Sequence, residues 1–359
     1  VLSLSILNGR ILENLGICSQ LKFVRFMRRG KKHKDDPKLF IKDLKFDNVP
    51  VRIYQPKAPS AGQRRGVLFF HGGGWIFGSI NTHENICRYI AKETESVVMS
   101  VEYRLAPENL HPAQYEDCLA ATIHFMKNTD DYGVDPARLI IAGDSAGGNI
   151  AVGVCQTLVG RKDLLKPRAQ VLIYPGLQAM DFNLPSYQQN RAVPILFRER
   201  AAFYALQCLI GNASVLEDVL QGSHVPPDIR QKYAKWMGAH NIPDEFKVRG
   251  YKPLVPAEFV PEVYEVVKDM CSPSLSPILA EDATIRQLPE TCILTCEYDV
   301  LRDDGLLFKK RLEDNGVQVT WFHVEDGFHA IISLFDKGRL AFPSGKKGLD
   351  KIVGYIKGL

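Results

Sequence analysis

Residues 143–147 read Gly143-Asp144-Ser145-Ala146-Gly147, and Gly148-Asn149 follow. The apolar run Leu139–Ala142 comes directly before, and a helical pattern over 147–160 comes directly after. A strand that turns into a helix within so few residues leaves little room for side chains. The glycines on either side of the serine answer that demand, because a side chain there collides with neighbouring backbone. The segment therefore predicts a buried strand, a sharp turn with Ser145 at its apex, and a helix whose N-terminus brings positive partial charge close to the serine.

The rest of the chain repeats the strand-then-helix order. Residues 39–46 and 50–55 read as a pair of opening strands. Val67–Phe70, Val97–Tyr103, Leu139–Ala142, Ala169–Tyr174, Cys292–Cys296 and Val317–Val324 complete the set. Short apolar runs bounded by Gly and Pro suit strands buried on both faces. Helical patterns lie between them at 82–95, with Thr82 as N-cap, and at 112–128, with Pro112 at the first helical position. Further helical patterns cover 147–160, 304–315 and 344–357. This alternation predicts an α/β fold, a mostly parallel eight-stranded sheet flanked by helices.

The alternation stops between about 177 and 275. That stretch is rich in proline and aromatics, holds helical pieces such as 199–210, and is too long for a connecting loop. It is expected to form a helical cap over the carboxyl edge of the sheet. The first 38 residues or so, with Ile11, Leu12 and Leu15, are expected to join it. The whole chain, 1–359, then forms one domain, and 45% hydrophobic residues are enough for a buried core.

A serine hydroxyl needs a base, and the base needs a carboxylate to orient it. Behind a serine on this kind of turn the chain order is acid, then histidine. After Ser145 the histidines are His224, His240, His323 and His329. His224 and His240 fall in the expected cap, and His323 falls inside a strand. His329 follows that strand after Glu325-Asp326-Gly327-Phe328, read as a loop at the carboxyl edge, where active sites of such sheets gather. His329 is therefore the candidate base. Asp299, after the strand Cys292–Cys296, is the candidate acid. Glu297 still belongs to the strand, and Asp303 and Asp304 open the next helix, where capping is the expected role.

A second glycine run, His71-Gly72-Gly73-Gly74-Trp75, follows the strand Val67–Phe70. It lets backbone N–H groups of Gly73 and Gly74, beside that of Ala146, face a substrate oxygen as an oxyanion hole. His71 and Gly72 shape that loop, and Asp144, between Gly143 and Ser145, is an orienting residue. Arg104 is expected to pair with Glu108 or Asp117 as a framework behind the site.

Net charge is only +4, which gives no reason to expect nucleic acid as a partner. The basic run Arg28, Arg29, Lys31, Lys32, His33 and Lys34 reads as a solvated turn, with contact to an anionic membrane surface as the alternative. No stretch reaches the roughly 18 apolar residues of a membrane span. No secretory signal is visible, and because the chain begins at Val1 a preceding natural N-terminus is expected. The cysteines are Cys18, Cys87, Cys118, Cys155, Cys208, Cys271, Cys292 and Cys296. None forms a C-x-x-C pair, so no metal site is expected. Cys292 and Cys296 face one side of a strand, too far apart to bridge. Asn212-Ala213-Ser214 is a glycosylation sequon that matters only in the secretory pathway.

With these residues in place the chain resembles the hormone-sensitive-lipase-like branch of the α/β-hydrolase fold, and closely the arylacetamide deacetylase-like group. The likeness rests on His71–Trp75, Tyr103–Glu108, Gly143–Asn149, Glu297–Gly305 and Asp326–His329, in the expected order. It implies a Ser145–His329–Asp299 triad without a cofactor, and hydrolysis of carboxylic esters, some aryl amides or neutral lipids. The substrate is expected to be a small apolar ester or amide. The resemblance also implies membrane association through an N-terminal signal anchor that is absent from this sequence, with the catalytic domain in the endoplasmic reticulum lumen. Relatives can bridge a cysteine after the Trp of the glycine motif to one near the acid. Here Ile76 holds the first position, so Cys296 is expected to be a free buried thiol. Some relatives act as small-molecule receptors, the alternative to an enzyme, and there a triad position is typically replaced.

Overall fold

The computed structural model describes residues 8–9, 11–30, 35–336, 338 and 341–359. Lys31–Lys34 of the basic run, and residues 1–7 and 10 of the expected N-terminal part of the cap, lie outside them.

Eight strands form one sheet: β1 (Leu39–Phe46), β2 (Val49–Pro56), β3 (Arg64–Phe70), β4 (Val97–Val101), β5 (Val134–Asp144), β6 (Ala169–Ile173), β7 (Glu290–Tyr298) and β8 (Val319–Phe328). Their order across the sheet is β1-β2-β4-β3-β5-β6-β7-β8. β1 runs antiparallel to β2, and β2 antiparallel to β4. All other pairs are parallel.

The side-chain period of two makes each central strand feed two cores. Along β3, Leu68 and Phe70 join one core and Val67 and Phe69 the other. The first core is covered by α3 (Ala113–Lys127), α4 (Ala146–Val159) and α11 (Arg302–Asp314). The second is covered by α2 (Glu84–Thr94) and α12 (Pro343–Lys357).

Between β6 and β7 the described chain has no strand. It carries α5 (Pro185–Gln189), α6 (Arg198–Ile210), α7 (Leu216–Gln221), α8 (Pro227–Met237), α9 (Pro261–Val267) and α10 (Asp282–Ile285). Their apolar residues and those of the linking turns, such as Phe182, Leu206, Val219 and Tyr233, belong to the first core. α1 (Gln20–Arg28) precedes the sheet. No helix among the described residues is long and apolar enough to cross a membrane.

Several element ends differ from the sequence reading, among them those of α2, α3 and β8. α2 begins at Glu84, and the Thr82 hydroxyl does not cap it. That hydroxyl is occupied with Ser79, accepting from its N–H and donating to its carbonyl, each at 2.9 Å. α3 begins at Ala113, with Pro112 before it at φ −97° and ψ 19°, outside the helix. β8 runs on to Phe328, so the expected loop 325–328 is strand. After a bulge between Cys296 and Tyr298, Tyr298 pairs with Phe328. The ends of β7 and β8 thus stay side by side, which sets the residues that follow each strand next to one another.

Phe69 is fully buried in the second core. Phe69→Ala is expected to cost about 3–5 kcal/mol, the transfer term plus the cavity left behind. Denaturant unfolding reads this as a lower midpoint at unchanged slope.

Candidate active site

β5 ends at Asp144, and Ser145 turns the chain into α4 with φ 54° and ψ −120°. A non-glycine residue in such a conformation costs about 1–3 kcal/mol and persists only where its surroundings hold it. Here the Ser145 N–H donates to the Ile173 carbonyl at 2.9 Å, and its own carbonyl accepts from Asn149 N–H at 3.2 Å. The turn presses against the end of β3. A Cβ on Gly147 would sit 2.0 Å from the Phe70 carbonyl oxygen and 2.7 Å from that of His71, so no larger residue fits.

His329 follows β8, and its Nε2 lies 3.0 Å from Ser145 Oγ. Its Nδ1 lies 2.8 Å from Asp299 Oδ2. The carboxylate only accepts, so Nδ1 carries the proton and Nε2 is left to accept from the serine hydroxyl. Asp299, after β7, is fully buried. Its other oxygen accepts from the Leu301 N–H at 2.9 Å. The structure thus brings Ser145, His329 and Asp299 into one hydrogen-bonded line.

The competing residues are engaged elsewhere. His323 lies between the Thr295 hydroxyl, at 2.9 Å from Nδ1, and Glu297, at 3.3 Å from Nε2. His224 is buried against the Ala179 carbonyl, and burial pushes its pKa down to about 4. His240 is exposed in a 3-10 turn. Glu297 pairs with Arg249 at 2.8 Å and Arg302 at 3.1 Å.

Asp303 and Asp304 do not cap their own helix. The first turn of α11 faces inward. Asp303 accepts from Ser186 N–H at 2.6 Å, and Asp304 accepts from Leu177 N–H at 2.9 Å and Gln178 Nε2 at 3.0 Å. Burial lifts the Asp304 carboxyl to about 7.

The glycine loop leaves β3 beside this line. His71 is fully buried. Its ring stacks on Tyr103 at 4.1 Å between centroids, and Tyr103 donates to the His71 carbonyl at 2.6 Å. Burial, and then the neighbouring His83, push its pKa down to about 3, so it is neutral. Gly74 takes φ 62°, and a Cβ there would meet the Tyr204 ring at 2.4 Å. Among the described residues the N–H groups of Gly73, Gly74 and Ala146 donate to no protein acceptor. All three border one cavity of about 1350 Å³ together with Ser145 and His329.

The cavity wall comes from α1, the glycine loop and the residues after it, the helical segment after β6 and the turn after β7, through Phe77, Phe182, Leu196, Tyr204, Leu275 and Leu301. Among the described residues no three His, Cys, Asp or Glu side chains converge as metal ligands do.

Asp144 ties the serine turn to the glycine loop, accepting from Gly72 N–H at 2.7 Å and facing His83 Nε2 at 3.2 Å. His83 escaped the sequence reading, because a histidine before a helix reads as a surface residue. Arg104 pairs with Asp117 at 2.8 Å and is half exposed. Glu108 instead pairs with Arg25 of α1 at 2.7 Å, so it ties α1 to the sheet edge. All eight cysteines are unbridged, and Cys296 is buried with its thiol pKa pushed up by burial.

Burial alone pushes the Asp144 carboxyl up, but His83 and the Gly72 N–H outweigh it and hold the group below its ordinary value of 3.8. A carboxyl held low in the folded state stabilises above its unfolded value, and that contribution is lost as pH falls through the folded value. Asp144→Asn is expected to lower stability at neutral pH by about 1–3 kcal/mol. In denaturant titrations the difference from wild type shrinks as pH drops below the ordinary carboxylate value.

A family model described as alpha/beta hydrolase fold matches residues 67–222 and 253–333. A human protein named arylacetamide deacetylase-like 4 is 48% identical over 351 residues, 98% of this chain and 86% of that protein. A rat protein named neutral cholesterol ester hydrolase 1 is 38% identical over 335 residues, 89% of this chain and 81% of that protein. Among solved structures, a hyperthermophilic esterase from the archaeon Pyrobaculum calidifontis superposes with a TM-score of 0.69 at 25% identity, over 98% of this chain and 97% of that one. With a hydrogen-bonded serine, histidine and aspartate at the carboxyl edge of such a sheet, and relatives of this closeness along nearly its whole length, the chain belongs to the α/β-hydrolase fold family, in its arylacetamide deacetylase-like group.

Proposed function

We propose that this chain is a serine carboxylesterase working through Ser145, His329 and Asp299. The observation that carries the reading is the line Ser145 Oγ–His329 Nε2 (3.0 Å) and His329 Nδ1–Asp299 Oδ2 (2.8 Å) at the edge of a large, mostly apolar-walled cavity. The names of a related deacetylase-like protein, a related cholesterol ester hydrolase and a structurally similar esterase support ester hydrolysis as the reaction.

Ser145 Oγ attacks the ester carbonyl while His329 Nε2 takes the hydroxyl proton. Asp299 holds the ring in the useful tautomer and stabilises the imidazolium. The negative charge that develops on the carbonyl oxygen rests on the N–H groups of Gly73, Gly74 and Ala146, which have no acceptor among the described residues. His329 then gives its proton to the leaving alcohol, and the acyl group stays on Ser145. A water that loses its proton to the same nitrogen attacks the acyl-enzyme, releasing the acid and restoring the serine. No step uses a metal or a cofactor.

The helical segment after β6 and α1 act as a cap. Phe182, Leu196 and Leu275 make its inner wall a place for an apolar acyl group. The same groups serve aryl amides and neutral glycerides, and the wall favours small apolar substrates over charged ones.

The test is hydrolysis of p-nitrophenyl esters from acetate to decanoate. The wild type is expected to turn over, and Ser145→Ala to lose about a millionfold in kcat, as expected when the nucleophile is removed. A charged short-chain ester turned over as fast as its apolar counterpart contradicts the apolar acyl site. Folded wild type with no turnover at any chain length refutes the esterase reading and points to a small-molecule binding role.

A further inference from the structure

Within its own turn the Asp299 carbonyl accepts from the Arg302 N–H at 3.2 Å. Apart from His329, the Asp299 carboxylate receives the Leu301 N–H. The turn that carries it is gripped from outside, by α5 and the residue that ends it. Asn190 is fully buried, and its Nδ2 donates to the Asp299 carbonyl at 3.0 Å and the Glu297 carbonyl at 3.3 Å. Its Oδ1 accepts from Arg249 Nη2 at 3.2 Å. A guanidinium only donates, so this contact fixes which end of the amide faces the two carbonyls. Arg249 also reaches the Glu297 carbonyl at 3.1 Å and carboxylate at 3.0 Å. Ser186 donates to the Val300 carbonyl at 2.5 Å, and Arg302 donates to Gln189 Oε1 at 3.0 Å. Glu297, Asp299, Val300, Arg302 and Asp303 thus each share a hydrogen bond with this one short segment.

The same segment borders the cavity. Tyr187 lies three residues before Asn190, and Ile195 and Leu196 lie just after it. We propose that Asn190 is a positioning residue for Asp299, through which the wall of the substrate cavity sets the place of the acid. The proposal rests on the reading of Asp299 as the triad acid. Asn190 touches neither the substrate cavity nor the reacting atoms. It acts by holding the backbone carbonyls on each side of Tyr298, so that Asp299 Oδ2 stays in line with His329 Nδ1. Its two carbonyl partners lie in one turn, and Asn190 joins them to α5. Without the amide the Asp299 carbonyl keeps the Arg302 N–H at 3.2 Å and the Glu297 carbonyl keeps Arg249, but this tie to α5 is lost and the turn is freer to shift.

The experiment compares wild type, Asn190→Leu and Arg249→Ala on p-nitrophenyl acetate. Active sites are counted by titration with a p-nitrophenyl organophosphate, so that loss of folded protein is separated from loss of rate. Leucine is close to asparagine in shape and removes both donors. Arg249→Ala keeps Asn190 but frees its orientation, and it changes a partly exposed position.

For Asn190→Leu, kcat per titrated site is expected to fall on the order of 10²-fold, the effect of a misplacement of about 1 Å, while KM stays near wild type. The acidic limb of the kcat/KM profile moves to lower pH, because a displaced carboxylate stabilises the imidazolium less. Arg249→Ala shows a smaller loss in the same direction. A loss confined to the number of titrated sites, a loss carried by KM alone, or an unmoved acidic limb overturns the positioning role. In each of those cases an active wild type with inactive Ser145→Ala leaves the triad reading standing. A wild type without turnover overturns both.

Discussion

The contact on which the rest of the site depends is the one between the first turn of α4 and the end of β3. Gly147 lies so close to the Phe70 and His71 carbonyl oxygens that even a methyl group is excluded. That closeness goes with the strained conformation of Ser145, which borders the cavity, and it brings Ala146 to the same cavity as the glycine loop that leaves β3. A serine on a relaxed loop has neither property. The strain is held because β6 and the C-terminal part of β5, Leu139–Asp144, are buried on both faces, so the turn is fixed to a rigid sheet.

Beneath this floor the polar groups are arranged as two links between segments distant in sequence. Asp144 joins the serine turn to the glycine loop through Gly72 and to α2 through His83. On the other side, Ser186, Asn190 and Arg249 join the helical segment to the turn that carries Asp299. Buried charges and amides are tolerated in both places because each has a partner. His71, fully buried and stacked on Tyr103, has its Nδ1 beside the Gly72 carbonyl at 3.0 Å and no partner for Nε2 among the described residues; burial keeps the ring neutral, as part of the loop's frame. The cavity is bordered by Gly73, Gly74, Ala146, Ser145 and His329, while Asp299 lies buried behind His329.

The parts legible in the sequence are those set by local pattern. The central strands appear as short apolar runs, and the residues brought into line, Ser145, Asp299 and His329, follow from the glycine-flanked turn and from chain order. The strandless helical segment between β6 and β7 is visible as a break in the alternation. What is misread follows from packing that no window reveals. Glu325–Phe328 look like a loop, yet they pair with the end of β7 across a bulge. Asp303 and Asp304 look like helix caps, yet the helix is turned inward and they hold the segment above it. Glu108 looks like a partner for Arg104, yet α1 brings Arg25 to it first.

The sequence by itself determined the α/β order and the serine turn, and limited the acid and the base to a few candidates. These depend on residues adjacent in the chain, on glycine where backbones meet and on apolar runs long enough for a buried strand. Only the tertiary structure decided which partner each buried polar group takes. His83 with Asp144, Asn190 with the acid turn and Tyr204 against Gly74 each join segments far apart in the chain. A side chain offers the same donors and acceptors wherever it lies, so its partner is settled by which segments the packed core brings within reach.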